Sequence, residues 1–173
     1  MNKCWKVTAI LSMVLISSFV QIGIAAETPK LTSEKKILAT LSKGKGTVFP
    51  IGTYNERNKN NFTGESYVAR LGGQNGINIA NVTFVNGAHT YWHIHEGTCQ
   101  ILMPVAGKGY YQIWGQEPKV LKLGETVTIP DGIKHWHGAA NGQTFQHVAV
   151  SGPAKYKNIW LEPVDEQVFK TLK

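Results

Sequence analysis

All six histidines of this 173-residue chain lie between positions 89 and 147, and four of them form two His-x-His pairs. Because side chains alternate between the two faces of a β-strand, His93 and His95 would share one face, as would His135 and His137 on another strand. His89 is expected on the same face as the first pair if that strand is continuous. Clustered imidazoles are typical ligands of divalent transition metals. The spacing therefore predicts a metal site built on β-strands.

The elements that would position these histidines are short strands. Turn dipeptides such as Asn86-Gly87 and Asp131-Gly132 separate runs rich in β-branched and aromatic residues. Many short strands with no helices between them predict an all-β fold, an antiparallel sandwich or barrel. Short helices are expected only after Ser33 and within 163–173. The predicted strands are Ser66–Leu71, Asn78–Val85, His89–His95, Gln100–Val105, Tyr110–Trp114, Lys119–Leu123, Thr126–Ile129, His135–Gly138, Phe145–Val150 and Asn158–Leu161.

The N-terminus has the pattern of a secretory signal peptide. Lys3 and Lys6 precede an uncharged run that ends in small residues at Ala25 and Ala26. Cleavage there would leave a periplasmic or secreted protein with no membrane attachment. The chain is thus divided into a signal peptide at 1–26, a polar leader at 27–47 and a β-barrel domain at 48–173.

Composition excludes several classes of protein. Hydrophobic residues make up 42% of the chain, which excludes disorder. The net charge is +7, but Arg57 and Arg70 are the only arginines and the lysines are scattered, so nucleic acid is not an expected partner. After signal cleavage Cys99 is the one cysteine, so no internal disulfide can form, and we expect it to be a small buried residue.

Two longer motifs carry a resemblance to a known family. The first reads Gly-(x)5-His-x-His-(x)4-Gln-(x)6-Gly from Gly87 to Gly107, and the second reads Gly-(x)5-Pro-x-Gly-(x)2-His from Gly124 to His135. Both resemble the consensus motifs of the cupin superfamily, which implies a single jelly-roll β-barrel with a metal inside it. The usual glutamate of the first motif is Gln100 here. The neutral amide removes one negative charge from the ligands around the metal, which should make the metal a stronger Lewis acid.

A finer resemblance is to small single-domain bacterial cupins, some of which are manganese-dependent hydroxynitrile lyases and others associated with carboxymuconolactone decarboxylase-like proteins. It rests on the runs 87–95 and 134–140, although His89 stands where that group commonly has arginine. The resemblance implies four metal ligands. They are His93, His95, Gln100 and His135.

The remaining histidines are candidates for proton transfer. The resemblance places His137 and His147 beside the ligands, and we expect His147 to enter from a neighbouring strand on the same face. Burial near a cation lowers an imidazole pKa, which keeps the ring neutral and available as a base. The alternative is that both rings only fix the tautomers of the ligands. With His89, they form the predicted catalytic set.

The expected function is that of a lyase acting on a small molecule, with the metal as Lewis acid. An Fe(II) dioxygenase and a non-catalytic metabolite-binding barrel are the alternatives, because a fold and a metal do not fix a reaction. One divalent ion is expected per barrel, Mn or Fe, although Zn or Ni could also be captured. Tyr91, Trp114 and Phe145 are candidates for an apolar substrate pocket or plain core residues. We also expect a homo-oligomer, either a dimer or a tetramer.

Overall fold

The computed structural model describes residues 30–42, 47–153 and 155–173, and all structural statements concern these residues. Backbone contacts divide the chain into units 1–30 and 31–173, and apart from Lys30 the described residues belong to the second. The predicted signal peptide therefore lies outside the described part. Within that part, no helix has the length and apolar character needed to cross a membrane.

The described residues form thirteen strands, most of them short, as the frequent turn dipeptides require. At the Asn86-Gly87 turn both residues have positive φ, 52° and 86°, which is the conformation that an asparagine–glycine pair adopts with least strain. The strands are β1 (Thr53–Tyr54), β2 (Phe62–Thr63), β3 (Ser66–Gly72), β4 (Asn78–Phe84), β5 (His89–Thr90), β6 (His93–Glu96), β7 (Gln100–Gly107), β8 (Gly109–Ile113), β9 (Lys119–Leu121), β10 (Val127–Ile129), β11 (His135–Ala139), β12 (Phe145–Ser151) and β13 (Lys157–Trp160).

These strands form two antiparallel sheets. The first sheet has the order β1-β3-β4-β12-β7-β10, and the second has the order β13-β6-β11-β5-β2, with β8 pairing with β11 and β9. An apolar cluster that includes Phe84, Leu102, Leu121 and Phe145 is fully or almost fully buried. It joins residues of both sheets, so the sheets pack face to face. The predicted all-β jelly-roll architecture is confirmed.

Both predicted helical segments are present. Helix α1 (Glu34–Ser42) packs Ile37 and Leu41 against buried residues of the first sheet. Helix α2 (Glu166–Phe169) is capped at its N-terminus by Asp165, whose carboxylate accepts a hydrogen bond from the backbone N–H of Gln167 at 2.7 Å. The C-terminal segment therefore ends as an ordered layer on the second sheet, where Phe169 contacts Trp136.

The predicted continuous strand 89–95 is wrong, because it is interrupted between β5 and β6. The backbone of Trp92 instead exchanges hydrogen bonds with Leu161 and Glu162 of the C-terminal segment. His89 pairs with Gly138, and His93 pairs with His135. Moving between these two pairs advances four residues along the 89–93 segment but three residues along β11. One extra residue is thus inserted, and such a bulge moves all side chains before it to the opposite face.

Candidate metal centre

Three buried imidazoles converge inside the barrel. His93 and His95 project from β6 and His135 from the adjacent β11, and His93 and His135 are directly paired across the two strands. One ring nitrogen from each of the three lies within 4.8 Å of the other two. Nitrogens that share one ion lie within about 4 Å of one another, because each binds at roughly 2 Å, so this grouping is close to that of a metal site. These three histidines could therefore hold a metal.

The tautomer of each imidazole is fixed by an acceptor at Nδ1. His93 and His135 each donate from Nδ1 to a backbone carbonyl two residues earlier, at 2.9 and 2.8 Å. His95 instead donates to the side-chain oxygen of Asn158, at 2.6 Å. Because a carbonyl oxygen can only accept, Nδ1 carries the proton and Nε2 keeps a free lone pair. All three rings thus present the nitrogen that binds metals.

The environment keeps these rings neutral. Burial lowers the pKa of His135 to about 4 and places the pKa of His93 well below its ordinary 6.5, with His135 and His95 adding like-charge repulsion. Burial also lowers the pKa of His95, although its hydrogen bond to Asn158 opposes the shift. Neutral imidazole is the form that coordinates a cation. The site is therefore ready to bind metal at neutral pH without losing protons.

Gln100 completes the donor set from the opposite sheet. It is the first residue of β7, and its Oε1 lies 3.0 Å from Nε2 of His135. Since Nδ1 of His135 holds that ring's proton, the contact brings together two lone pairs with no hydrogen between them. In addition, the buried Nε2 of His95 has no hydrogen-bond partner among the described residues. A cation would satisfy all of these groups, so the residues fit a divalent metal.

Cys99 is not part of this group. Its side chain is exposed, which makes the expectation of a buried cysteine wrong. The thiol lies beside Ile77 and Ile101 in a small groove, whereas Gln100 and Leu102 face the interior. Alternation along β7 explains the difference, as adjacent residues point to opposite faces.

His137 and His147 form a pair behind the three ligands. His137 lines the cavity, and its Nδ1 lies 3.1 Å from Nε2 of His147. Burial lowers the pKa of His147 to about 4 and the pKa of His137 well below 6.5, with His147 adding to the latter shift. His147 comes from β12 of the opposite sheet, so the expectation of a neighbouring strand is wrong. In a hydrogen bond between two neutral rings, one nitrogen must carry the proton and the other must accept it. The tautomer of one ring therefore fixes the tautomer of the other.

His89 lies outside the cavity, which makes the prediction that it shares a face with His93 wrong. Its ring stacks on Phe169 with 3.8 Å between centroids and contacts Trp136 edge-on, on the outer side of the second sheet. Burial lowers its pKa. The inserted residue before β6 is the cause, because it gives the inward position to Thr90. His89 is therefore part of the outer core and not of the candidate site.

A cavity of about 160 Å³ adjoins the histidines and opens into a wider vestibule of about 670 Å³. Its aromatic walls are Phe62, Tyr156 and Trp160, and the Trp160 ring lies 4.8 Å from that of His93. Of the expected pocket aromatics, Trp114 is 58% exposed and Phe145 belongs to the core. The residues that line both the cavity and the vestibule, which we call the neck, are Asn55, Asn58, Val68, Asn78, Tyr156, Asn158 and Trp160.

Sequence reasoning missed the neck because its members come from four separate segments. Asn158 was recognised only as the start of a predicted strand, and its place beside His95 depends on the register of β13 against β6. A polar residue in an edge strand would have been the one available signal, and it is a weak one.

Comparison with known proteins connects this geometry to a family. Residues 80–150 match the cupin domain family. An (R)-mandelonitrile lyase from Granulicella tundricola is 36% identical over 92 residues, which are 53% of this chain and 70% of that protein. A cupin-like protein from Thermotoga maritima has 33% sequence identity and a TM-score of 0.63, covering 72% of this chain and 96% of that one.

A more distant structure agrees in fold alone. A cupin 2 conserved barrel domain protein from Rhodopseudomonas palustris is 16% identical, with a TM-score of 0.55 over 72% of this chain and 90% of its own. The family match at 80–150 includes every histidine of the candidate site and Gln100, but Asn158 and Trp160 lie beyond it.

Proposed function

The chain belongs to the cupin superfamily, and from that premise we propose that it is a metal-dependent lyase of the hydroxynitrile lyase type, acting on a small hydroxylated molecule. The observation that carries the proposal is the placement of His137. Its imidazole faces the cavity beside three histidines whose Nε2 atoms are free to bind metal. Similarity to an (R)-mandelonitrile lyase supports the same reaction class.

The chemistry divides between the ligand group and the histidine pair. A divalent metal held by His93, His95, His135 and Gln100 would act as a Lewis acid toward a substrate oxygen. We propose Mn or Fe as the native ion, although this nitrogen-rich site could also bind Zn or Ni. The charge of the ligand residues is zero, so no carboxylate reduces the Lewis acidity of the ion.

His137 is the proposed general base. Nδ1 of His137 is occupied by His147, so Nε2 is the atom left to exchange a proton with the substrate hydroxyl. As that proton leaves, the carbon–carbon bond breaks and its electron pair departs with the leaving group. His147 acts as a positioning residue, because it holds the His137 ring and sets its tautomer.

The part of the cavity beside the histidines is small, although it opens into the wider vestibule. Its volume of about 160 Å³ equals that of roughly five water molecules. Phe62, Val82 and Trp160 supply apolar walls, while Thr90 and the histidines supply polar ones. A small molecule with one apolar group and one hydroxyl suits this lining.

The proposal is tested by assaying metal-loaded protein against a panel of cyanohydrins, with and without oxygen. We expect aldehyde release that does not depend on oxygen and is lost in His137→Ala at unchanged metal content. His89→Ala is the matched control, since His89 lies outside the cavity and its replacement should leave turnover per folded molecule unchanged. Product formation that requires oxygen would favour the dioxygenase alternative. Metal binding without turnover would favour the non-catalytic metabolite-binding barrel.

We also propose that the protein is exported after cleavage near Ala25 or Ala26. The support is the Lys-flanked apolar run that ends in small residues. N-terminal sequencing of the exported material tests this, and a mature chain that begins at Met1 would contradict it.

A further inference from the structure

The neck between the cavity and the vestibule is rich in hydrogen-bond donors. Asn158 accepts from Nδ1 of His95 through its Oδ1, and its NH2 group points away from this hydrogen bond. That NH2 group has no hydrogen-bond partner among the described residues, and the same holds for the whole amide of Asn78. Tyr156 accepts from Ser151 at 3.0 Å, which leaves its own O–H free to donate.

The charge around this opening is positive. Arg57 lines the vestibule, and no described residue of the vestibule wall carries a carboxylate. Arg57 also has no ion pair or hydrogen bond within the described part of the chain. Arg57 and Arg70, the only arginines of the protein, line the open groove next to the vestibule. Glu56 in the same groove is paired with Lys59. Free N–H donors beside an unpaired guanidinium attract small anions.

Resting on the lyase reaction proposed above, we propose that the neck is an anion subsite that receives the small monovalent anion released by bond cleavage. The electron pair of the broken carbon–carbon bond leaves on this anion, and the hydroxyl proton passes to His137. Asn158 links the two regions, because one side of its amide orients a metal-binding ring and the other faces the departing charge. Stabilising that charge lowers the barrier, since it develops in the transition state.

Nitrate is a suitable probe, because it is a small monovalent anion and a poor ligand for divalent metals. Its binding to metal-loaded protein can be measured by calorimetry at constant ionic strength, with the metal content of each sample determined in parallel. We expect nitrate affinity in the millimolar range, reduced about threefold in Arg57→Gln because that group is exposed and screened. Arg70→Gln removes the same charge outside the vestibule and should have a smaller effect.

Asn158→Asp is the decisive variant. The carboxylate still accepts the hydrogen bond from His95, so metal should be retained, but the NH2 donors are replaced by a negative charge. We expect nitrate binding to be abolished in this variant. Failure of the wild-type protein to bind nitrate, or equal binding by wild type, Arg57→Gln and Asn158→Asp, would overturn the subsite. Loss of metal from the wild-type protein would instead contradict the proposed lyase, so the two failures are distinguishable.

Discussion

Replacing Asn158 by alanine should weaken metal binding although Asn158 is not a proposed ligand. His93 and His135 are oriented by backbone carbonyls, which no side-chain substitution removes. His95 alone depends on a side chain, through the 2.6 Å hydrogen bond to Asn158. Without that acceptor, the ring of His95 is free to rotate and its Nε2 is less basic.

The magnitude follows from the exposure of this residue. Loss of such an outer hydrogen bond costs about 10- to 100-fold in metal affinity, which is about 1.4–2.7 kcal/mol. Asn158 lies at the exposed neck of the cavity, so water can replace part of the lost interaction. We therefore expect a loss of about tenfold, at the lower end of that range.

Competition with a chromophoric chelator at pH 7 measures the affinity directly. Asn78→Ala is the control, because Asn78 lines the same cavity and its substitution removes no hydrogen bond to a ligand histidine. Asn158→Asp should restore or exceed wild-type affinity, since a carboxylate is a stronger acceptor. Equal affinities of Asn158→Ala and wild type would refute the assigned role of the hydrogen bond.

Three further outcomes are expected. Gln100→Ala should lower metal affinity at least about tenfold, and X-ray absorption of the loaded protein should show one fewer oxygen ligand; an unchanged spectrum would exclude Gln100. In metal-free protein the free energy of unfolding should decrease as the pH falls from about 6.5 to 4. The reason is that the pKa of His135 and of His147 is about 4 in the folded state and about 6.5 in the unfolded state. Each histidine accounts for a loss of about 3 kcal/mol at most. Urea unfolding at several pH values checks this, and a flat profile would contradict it. Gly138→Ala places a Cβ 2.4 Å from the Cα of His89, so the free energy of unfolding should fall by about 1–3 kcal/mol, as chemical denaturation would reveal.

Much of the site was predictable because it depends on the alternation of side chains between the two faces of single strands. The His93–His95 and His135–His137 pairs each lie within one strand, where the period of two fixes the face without any knowledge of the fold. The spacing of the first cupin motif also identified Gln100, on the next strand, as a candidate metal ligand. Most predicted strands agree with the structure to within a residue or two at their ends.

The errors arose where distant parts of the chain decide the local structure. The sequence around Tyr91 and Trp92 favours a strand, yet Trp92 pairs with the C-terminal segment and the strand is interrupted. The face of His89 could not be predicted without that contact. The partner of His147 likewise depends on how the two sheets pack, which alternation within β12 does not specify.

The candidate ligands are divided between the two layers of the barrel, and this has a mechanical consequence. Three imidazoles belong to one sheet and Gln100 to the other, 35 residues from His135 along the chain. A bound ion would therefore act as a reversible cross-link between the layers, in a mature protein predicted to have no disulfide. Unlike a covalent bridge, such a link stabilises only the folded barrel, because the unfolded chain does not hold the ligands together and releases the ion. Chelation would then loosen the barrel at its cavity end first, while the apolar cluster around Phe84 and Phe145 still holds the sheets together.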